Sequence, residues 1–208
     1  MDINIYENAL PSNLYEEIKD IITSPALGWR TSKNIATTDD PKNDHVLNSY
    51  GFAMYPLESV FDDKGYPTAD YSLGNSEFYN IFLPVFLCQL DRLGLKSSDY
   101  ELIRIRVGLL TNQGKKVIHD PHRDYDAEHR TMLTYFTTEE GSGETFFYKG
   151  QPDNLEVYLA NSPKENTMVD FDGSIYHSSS SPIKNVFRYA LNINYRKVKK
   201  NTKFVKKG

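Results

Sequence analysis

The chain has one cysteine, Cys88, in 208 residues, so no intrachain disulfide can form and no disulfide framework carries the fold. That scarcity fits a reducing compartment, and the cytosol is the expected location. No apolar run approaches the roughly 18 residues that a membrane-spanning helix needs. The opening MDINIYENAL has no basic stretch followed by an apolar one, so no secretory leader is expected. Basic charge is not in excess: the formal net charge of -4 gives no global electrostatic reason to bind nucleic acid or a membrane surface. No internal repeat is visible. Histidine is scarce too, five in all, which leaves few ways to build a metal site.

Aromatic residues, by contrast, are abundant. Fifteen Tyr and eleven Phe suit a β-rich core with aromatic-lined cavities. A hydrophobic share of 39% and a charged share of 25% are ordinary for a globular chain. The length fits one domain with a sizeable core. We expect a single domain over 1–208, with helical support over about 1–98, a β core over about 100–198 and a basic tail at 199–208. The last stretch, Arg196–Gly208, carries seven Lys or Arg and reads as a solvated tail rather than a nucleic-acid arm.

Ile3 and Ile5 alternate in a short strand pattern. Asn13 with Glu16 resembles a capping box ahead of a helical face made by Leu14, Ile18, Ile21 and Ile22, which ends before Pro25. Thr31–His45 and Pro56–Ser76 are polar and turn-rich, long enough to suggest lids or mobile segments. Asn48–Tyr55 can form a strand between them. Glu77–Leu93 has the helical period, with Gly94 as its stop and Pro84 inside it, where a kink or division is expected. Leu102–Val107 then alternates apolar and basic residues, the mark of a half-buried strand. Thr131–Thr138, Glu144–Tyr148, Leu155–Leu159, Thr167–Phe171 and Val186–Val198 continue the series, with Gly, Asp, Asn and Pro between them. Helices first and six or more short strands afterwards suggest an α+β, mainly β domain whose second half is a double-stranded β-helix (a cupin-like jelly roll).

The chemistry concentrates in two stretches. The first holds His122-Arg123-Asp124. The second holds His177, 53 residues after Asp124, and Arg188, eleven residues further on. In an extended segment residues i and i+2 point the same way, so His122 and Asp124 can reach one ion, with His177 arriving from a distant strand. Two imidazoles and one carboxylate bind Fe(II) on one face and leave positions open for co-substrate and oxygen. By itself the His-x-Asp pattern is weak, since about 0.4 such pairs arise by chance at this composition. Its setting strengthens it: Pro121 before, a strand after, then Gly143-Glu144-Thr145-x-Phe147, then Asp170 to His177. His119 and His129 flank the motif and read as polar loop residues, with His119 a possible support for a ligand. His45 has no partner in sequence.

Arg188 begins Arg188–Arg196, a strand by pattern, in which Arg188, Ala190, Asn192 and Asn194 share one face and Tyr189, Leu191 and Ile193 the other. An inward arginine is costly without an anion, and its planar fork suits a carboxylate. Either a dicarboxylate co-substrate or a carboxylate of the protein can fill that place. A hydroxyl commonly assists such a clamp; Tyr135 is the first candidate and Thr145 the second. Arg106, on the strand entering the motif, can face the same pocket and contact substrate or co-substrate.

These residues, in this order, resemble the 2-oxoglutarate/Fe(II)-dependent dioxygenase superfamily, and within it the prolyl 4-hydroxylase-like group. The resemblance covers about Leu102–Arg196. It implies a distorted double-stranded β-helix, Fe(II) as metal, 2-oxoglutarate and O2 as co-substrates, and hydroxylation of a C–H bond coupled to release of succinate and CO2. It also implies a peptidyl, prolyl-like substrate first, with a small metabolite or nucleobase as alternatives and no membrane partner. The chain departs from that group in three places. Arginine stands where lysine is common at the clamp, Gly141-Ser142-Gly143 where adjacent glycines are usual, and Ser178–Ser181 where an apolar residue often follows the distal histidine. A non-catalytic jelly-roll metal-binding protein, or a cupin-type metalloenzyme that needs no O2, are the other classes that the same residues allow.

Overall fold

The computed structural model describes residues 2–27, 29–32, 49–54 and 78–198, and the statements of structure below concern those residues. They form two α-helices, α1 (Ser12–Thr23) and α2 (Tyr79–Arg92), and ten strands. The strands are β1 (Ile3–Glu7), β2 (Arg30–Ser32), β3 (Ser49–Met54), β4 (Tyr100–Thr111), β5 (Arg130–Tyr135), β6 (Thr145–Gln151), β7 (Asn154–Asn161), β8 (Thr167–Asp172), β9 (His177–Ser179) and β10 (Phe187–Lys197). Seven make an antiparallel sheet in the order β1-β8-β5-β10-β4-β3-β2, and β7-β6-β9 make a smaller one. The mainly β architecture expected from the strand series is the one found.

Alternation along the strands divides the larger sheet between two cores. One face packs on the helices: Ile105 and Val107 of β4, Met132 of β5, Met168 of β8, and Leu191, Ile193 and Tyr195 of β10 meet Ile18 and Ile22 of α1 and Phe82, Val85 and Leu90 of α2. The other face, through Leu133, Tyr135, Val169, Phe171 and Ala190, packs toward the small sheet and Phe147. Each large apolar side chain taken fully from water contributes about 1.5–3 kcal/mol, so the first core is the main source of stability. The second is interrupted by polar groups, and the candidate site lies there.

Several local expectations are corrected. α1 has Pro11 at its cap and no side-chain cap hydrogen bond, so Asn13 and Glu16 form no capping box; proline pre-sets the entry instead. α2 runs unbroken through Pro84, which lies in its second turn and removes one backbone donor there without dividing the helix. Gly94 does end it: at φ 68° it is left-handed, and the Leu95 and Gly94 amides close back on the Leu90 and Asp91 carbonyls at 2.9 Å. β5 stops at Tyr135, three residues early, and the polar stretch from Thr31 starts inside a short strand, β2, paired with β3. The rest of that stretch, 33–45, the loop 56–76, His45 and the tail 199–208 lie outside the described residues. No described helix is long and apolar enough to cross a membrane.

Candidate metal centre and its pocket

Backbone pairing brings the two distant histidines together. His122 and His177 form an isolated antiparallel bridge in which each amide donates to the other's carbonyl at 2.9 Å. Residues so paired present their side chains on the same face, and the imidazole centroids lie 4.6 Å apart. His177 belongs to β9, a three-residue strand that sequence alone did not reveal, and β9 is fixed by pairing with β6. Two residues beyond His122 the extended chain places Asp124 on the same side. One ligand atom from each of His122, Asp124 and His177 lies within 4.8 Å of the others.

The protonation pattern suits metal ligation. Nδ1 of His177 faces the Ile175 carbonyl at 3.2 Å, and Nδ1 of His122 faces the Asp120 carbonyl at 3.3 Å. A carbonyl only accepts, so Nδ1 is the donor in each contact, which leaves Nε2 as the nitrogen available to a metal. Burial, aided by the neighbouring His122, pulls His177 down to about 4, so it is neutral at pH 7. Burial opposes ionisation of Asp124. The Arg104 guanidinium, the imidazoles and the Asn194 amide outweigh it and hold the carboxyl well below its usual range. Two imidazoles and one carboxylate are thus brought together, a donor set that fits Fe(II).

From this triad a pocket extends between the sheets, walled by Gly108, Leu133, Thr145, Phe171 and Ala190, to Arg188 at its other end. Arg188 is 4% exposed. One of its Nη atoms donates to Thr145 Oγ1 at 2.9 Å and its guanidinium lies 5.3 Å from the Tyr135 ring centre. Its Nε is buried with no hydrogen-bond partner. Among the described residues no carboxylate lies within 4.0 Å of it, so the ion pair with the protein that the sequence left open is not made there. Burial pushes the guanidinium below its ordinary value. An anion bound at this end would relieve both the charge and the orphaned N–H. Gly143 lets the arginine lie here: its φ is 68°, and a Cβ would come within 3.1 Å of Glu139 and 3.4 Å of the Arg188 stem.

The two hydroxyls proposed to assist Arg188 are both present, in reversed order. Thr145 lines the pocket, whereas Tyr135 stands behind it and donates to Thr145 Oγ1 at 2.9 Å. Arg106 lines the pocket, on β4 across from Asn192 of β10. His119 joins its outer wall through Ser179, with the Nδ1 to Oγ distance 2.9 Å, and burial, Arg188 and His122 lower it to about 4. His129 lies in the loop before β5, as expected, but it is buried there, packed on Gly173, and its Nε2 has no partner.

Sequence reading missed the residues that hold Asp124. Arg104 donates to Oδ1 at 2.8 Å, while Asn194 and Asn192 donate to Oδ2 at 2.8 and 3.1 Å. The signal was available in the alternation of Arg104 with Ile105 and of Asn192 and Asn194 with Ile193, which turns all three polar side chains to one face. Their common target, however, lies twenty and about seventy residues away in sequence.

The chain matches no protein-family model and no curated protein. Among solved structures it is similar to a 2OG-Fe(II) oxygenase family oxidoreductase from Burkholderia pseudomallei, at 13% identity and a TM-score of 0.63, covering 93% of this chain and 84% of that one. The non-heme alpha-ketoglutarate-dependent epimerase SnoN from nogalamycin biosynthesis is 12% identical, with a TM-score of 0.58 over 93% and 77% of the two chains. A prolyl hydroxylase from Trichoplax adhaerens, solved in complex with a hypoxia-inducible factor oxygen degradation domain peptide fragment, is 14% identical. Its TM-score is 0.56, over 93% of this chain and 82% of its own. At such identities the likeness is one of fold, the double-stranded β-helix.

Proposed function

We propose that this protein is an Fe(II)- and 2-oxoglutarate-dependent oxygenase that hydroxylates a C–H bond, converting 2-oxoglutarate and O2 to succinate and CO2 as one oxygen atom enters the substrate. One observation carries this reading. A single pocket has His122, Asp124 and His177 converging at one end and a buried arginine without a carboxylate partner, among the described residues, at the other. A dicarboxylate with a keto acid at its near end is the co-substrate that such a pocket fits.

In this reading His122, Asp124 and His177 hold the iron, whose bound chemistry supplies O2 activation driven by co-substrate decarboxylation. Arg188 holds the far carboxylate through its Nε and an Nη, two charge-assisted bonds in a dry site. Thr145 supports that fork, and the Tyr135 hydroxyl fixes Thr145. Leu133, Phe171 and Ala190 keep water from the space between. Arg106 sits beside Asn192 on the wall near the metal end, where a guanidinium can meet substrate or the near carboxylate.

The substrate we favour is a peptidyl, prolyl-like residue, with a small metabolite or nucleobase as the alternative. Support comes from the fold shared with the Trichoplax prolyl hydroxylase, whose structure carries a peptide. Incubation with proline-containing peptides and with free amino acids, followed by mass spectrometry for one added oxygen, separates these cases.

The reaction class is tested by anaerobic titration with Fe(II) and then 2-oxoglutarate, read by the visible charge-transfer band of the chelate. Wild type should give the band. Arg188→Ala should need far more 2-oxoglutarate to reach it, and Asp124→Ala should form no succinate while remaining folded. A folded, metal-loaded wild type without the band would exclude the 2-oxoglutarate reading.

A further inference from the structure

The carboxylate of the triad is held by a closed ring of side chains. Arg104 donates through one Nη to Asp124 Oδ1 at 2.8 Å and through Nε to Asn194 Oδ1 at 2.9 Å. Asn194 in turn donates through Nδ2 to Asp124 Oδ2 at 2.8 Å. Two strands build this ring, because Arg104 of β4 and Asn194 of β10 are register partners. The register shifts immediately afterwards, between Asn194 and Tyr195. Ile103 is the extra residue on β4, and a bulge of this kind re-aims side chains beside it. Asn194 is fully buried and has no freedom to turn, since its amide also donates to Thr131 Oγ1 at 3.0 Å. Its orientation is unambiguous, because the nitrogen faces a carboxylate and the oxygen faces a guanidinium.

Counting acceptors gives the consequence. An ionised carboxylate offers about four lone-pair positions. At Asp124, Arg104, Asn194 and Asn192 fill three of them. One remains, on Oδ1, while both positions of Oδ2 are taken.

Resting on the metal-centre reading above, we infer that Arg104 and Asn194 are positioning residues that hold Asp124 as a one-bond ligand and prevent it from chelating the metal through both oxygens. Two imidazoles and one carboxylate bond leave three positions of an octahedral ion open. An ion held there would need those positions for its co-substrates. A chelating carboxylate would close one of these, so the ring protects the vacancy on which the reaction depends. Neither residue touches the reacting atoms; both act through Asp124.

The test uses Co(II), whose d–d absorption reports ligand number and geometry without turnover. The metal-stripped full-length chain is titrated with Co(II) as wild type, Asn194→Leu and Arg104→Lys, with far-UV circular dichroism as the folding control. Asn194→Leu removes the amide at constant charge, and Arg104→Lys keeps the charge but loses the fork. Both should change the shape of the d–d spectrum, and Asn194→Leu should raise the Co(II) dissociation constant about 10–100-fold. Where Asn194→Leu does not fold, Arg104→Lys decides by its spectrum. A folded variant with the wild-type affinity and the wild-type spectrum overturns the positioning role and leaves the metal centre standing. A wild type that takes up no Co(II) removes the metal centre, and this inference with it.

Discussion

The two faces of β10 are made by alternate residues of the same strand, yet they meet opposite environments. Leu191, Ile193 and Tyr195 enter the apolar core under the helices, and the only polar group among them, the Tyr195 hydroxyl, donates to Asp170 at 2.8 Å. Arg188 and Asn192 line the pocket and Asn194 meets Asp124 on the same side, and Arg188 Nε and Asn192 Oδ1 are buried without partners. A face whose groups are all satisfied is built for stability. A face that carries unmet donors and acceptors is built for something that arrives later. The strand therefore divides its labour by parity, and substitutions on the two faces should fail in different ways.

The largest effect is expected on the core face. Ile193 is completely buried, and Ile193→Ala removes three methyl or methylene groups from a packed site, at a cost of about 2–5 kcal/mol in chemical denaturation. The folded fraction should keep its affinity for 2-oxoglutarate. A cost below about 0.5 kcal/mol, the range of surface changes, would break the division.

Arg188→Met should do the reverse. Loss of the charged hydrogen bonds predicts a 2-oxoglutarate affinity about 100-fold lower, or roughly 2.7 kcal/mol. Stability should stay level or rise, because a buried guanidinium without a neutralising carboxylate is exchanged for an apolar chain of similar length. A loss of stability as large as that of Ile193→Ala would mean that Arg188 serves the fold.

Glu139 sharpens the comparison at the loop that leads into β10. It is 1% exposed, and its carboxylate accepts from Ser142 Oγ, from the Ile183, Lys184 and Asn185 amides and from the Asn185 side chain. Burial works against its charge, but these bonds prevail and bring it from 4.5 to about 2. A carboxylate with a lowered folded value stabilises fully above its unfolded value and loses that contribution as pH falls through the folded one. Stability should therefore decline between about pH 4.5 and 2, by on the order of 2 kcal/mol. Glu139→Gln should flatten that decline, as measured by denaturation at a series of pH values. An unchanged acid slope would show that the loop does not depend on the carboxylate.

How much of this could be read from the sequence follows from range. Parity placed Arg188, Asn192 and Asn194 inward because a strand alternates whatever its neighbours do. The pairing of His122 with His177 was accessible through chemistry, since an iron site needs a second imidazole and only five histidines were available. β9 was not accessible, because three residues with two serines carry no periodicity, and the β6 edge imposes the strand. Alternation turned Arg104, Asn192 and Asn194 to one face, but that they meet at Asp124 depends on pairing between distant segments that no local pattern encodes. The capping box failed for the opposite reason: the local pattern was present, and Pro11 had already set the helix entry.

The smallest effect separates the two hydroxyls beside Arg188. Thr145 Oγ1 accepts from Arg188 and from the Tyr135 hydroxyl, both at 2.9 Å, and so uses both of its lone pairs. Its own hydrogen must point elsewhere, and the side on which Thr145 has open space is the pocket. In the proposed complex that hydrogen donates to the far carboxylate of 2-oxoglutarate, while Tyr135 only fixes its direction. Thr145→Val should then weaken 2-oxoglutarate binding about tenfold, the loss of one hydrogen bond to a charged group. Tyr135→Phe keeps the ring against the Arg188 guanidinium and loses only the aiming bond, so it should cost about 1 kcal/mol, roughly fivefold. Calorimetric titration of the metal-loaded, oxygen-free protein resolves the two. If Tyr135→Phe proved the more damaging, the tyrosine hydroxyl itself would be the group that meets the carboxylate, and the pocket wall would have to open to admit it.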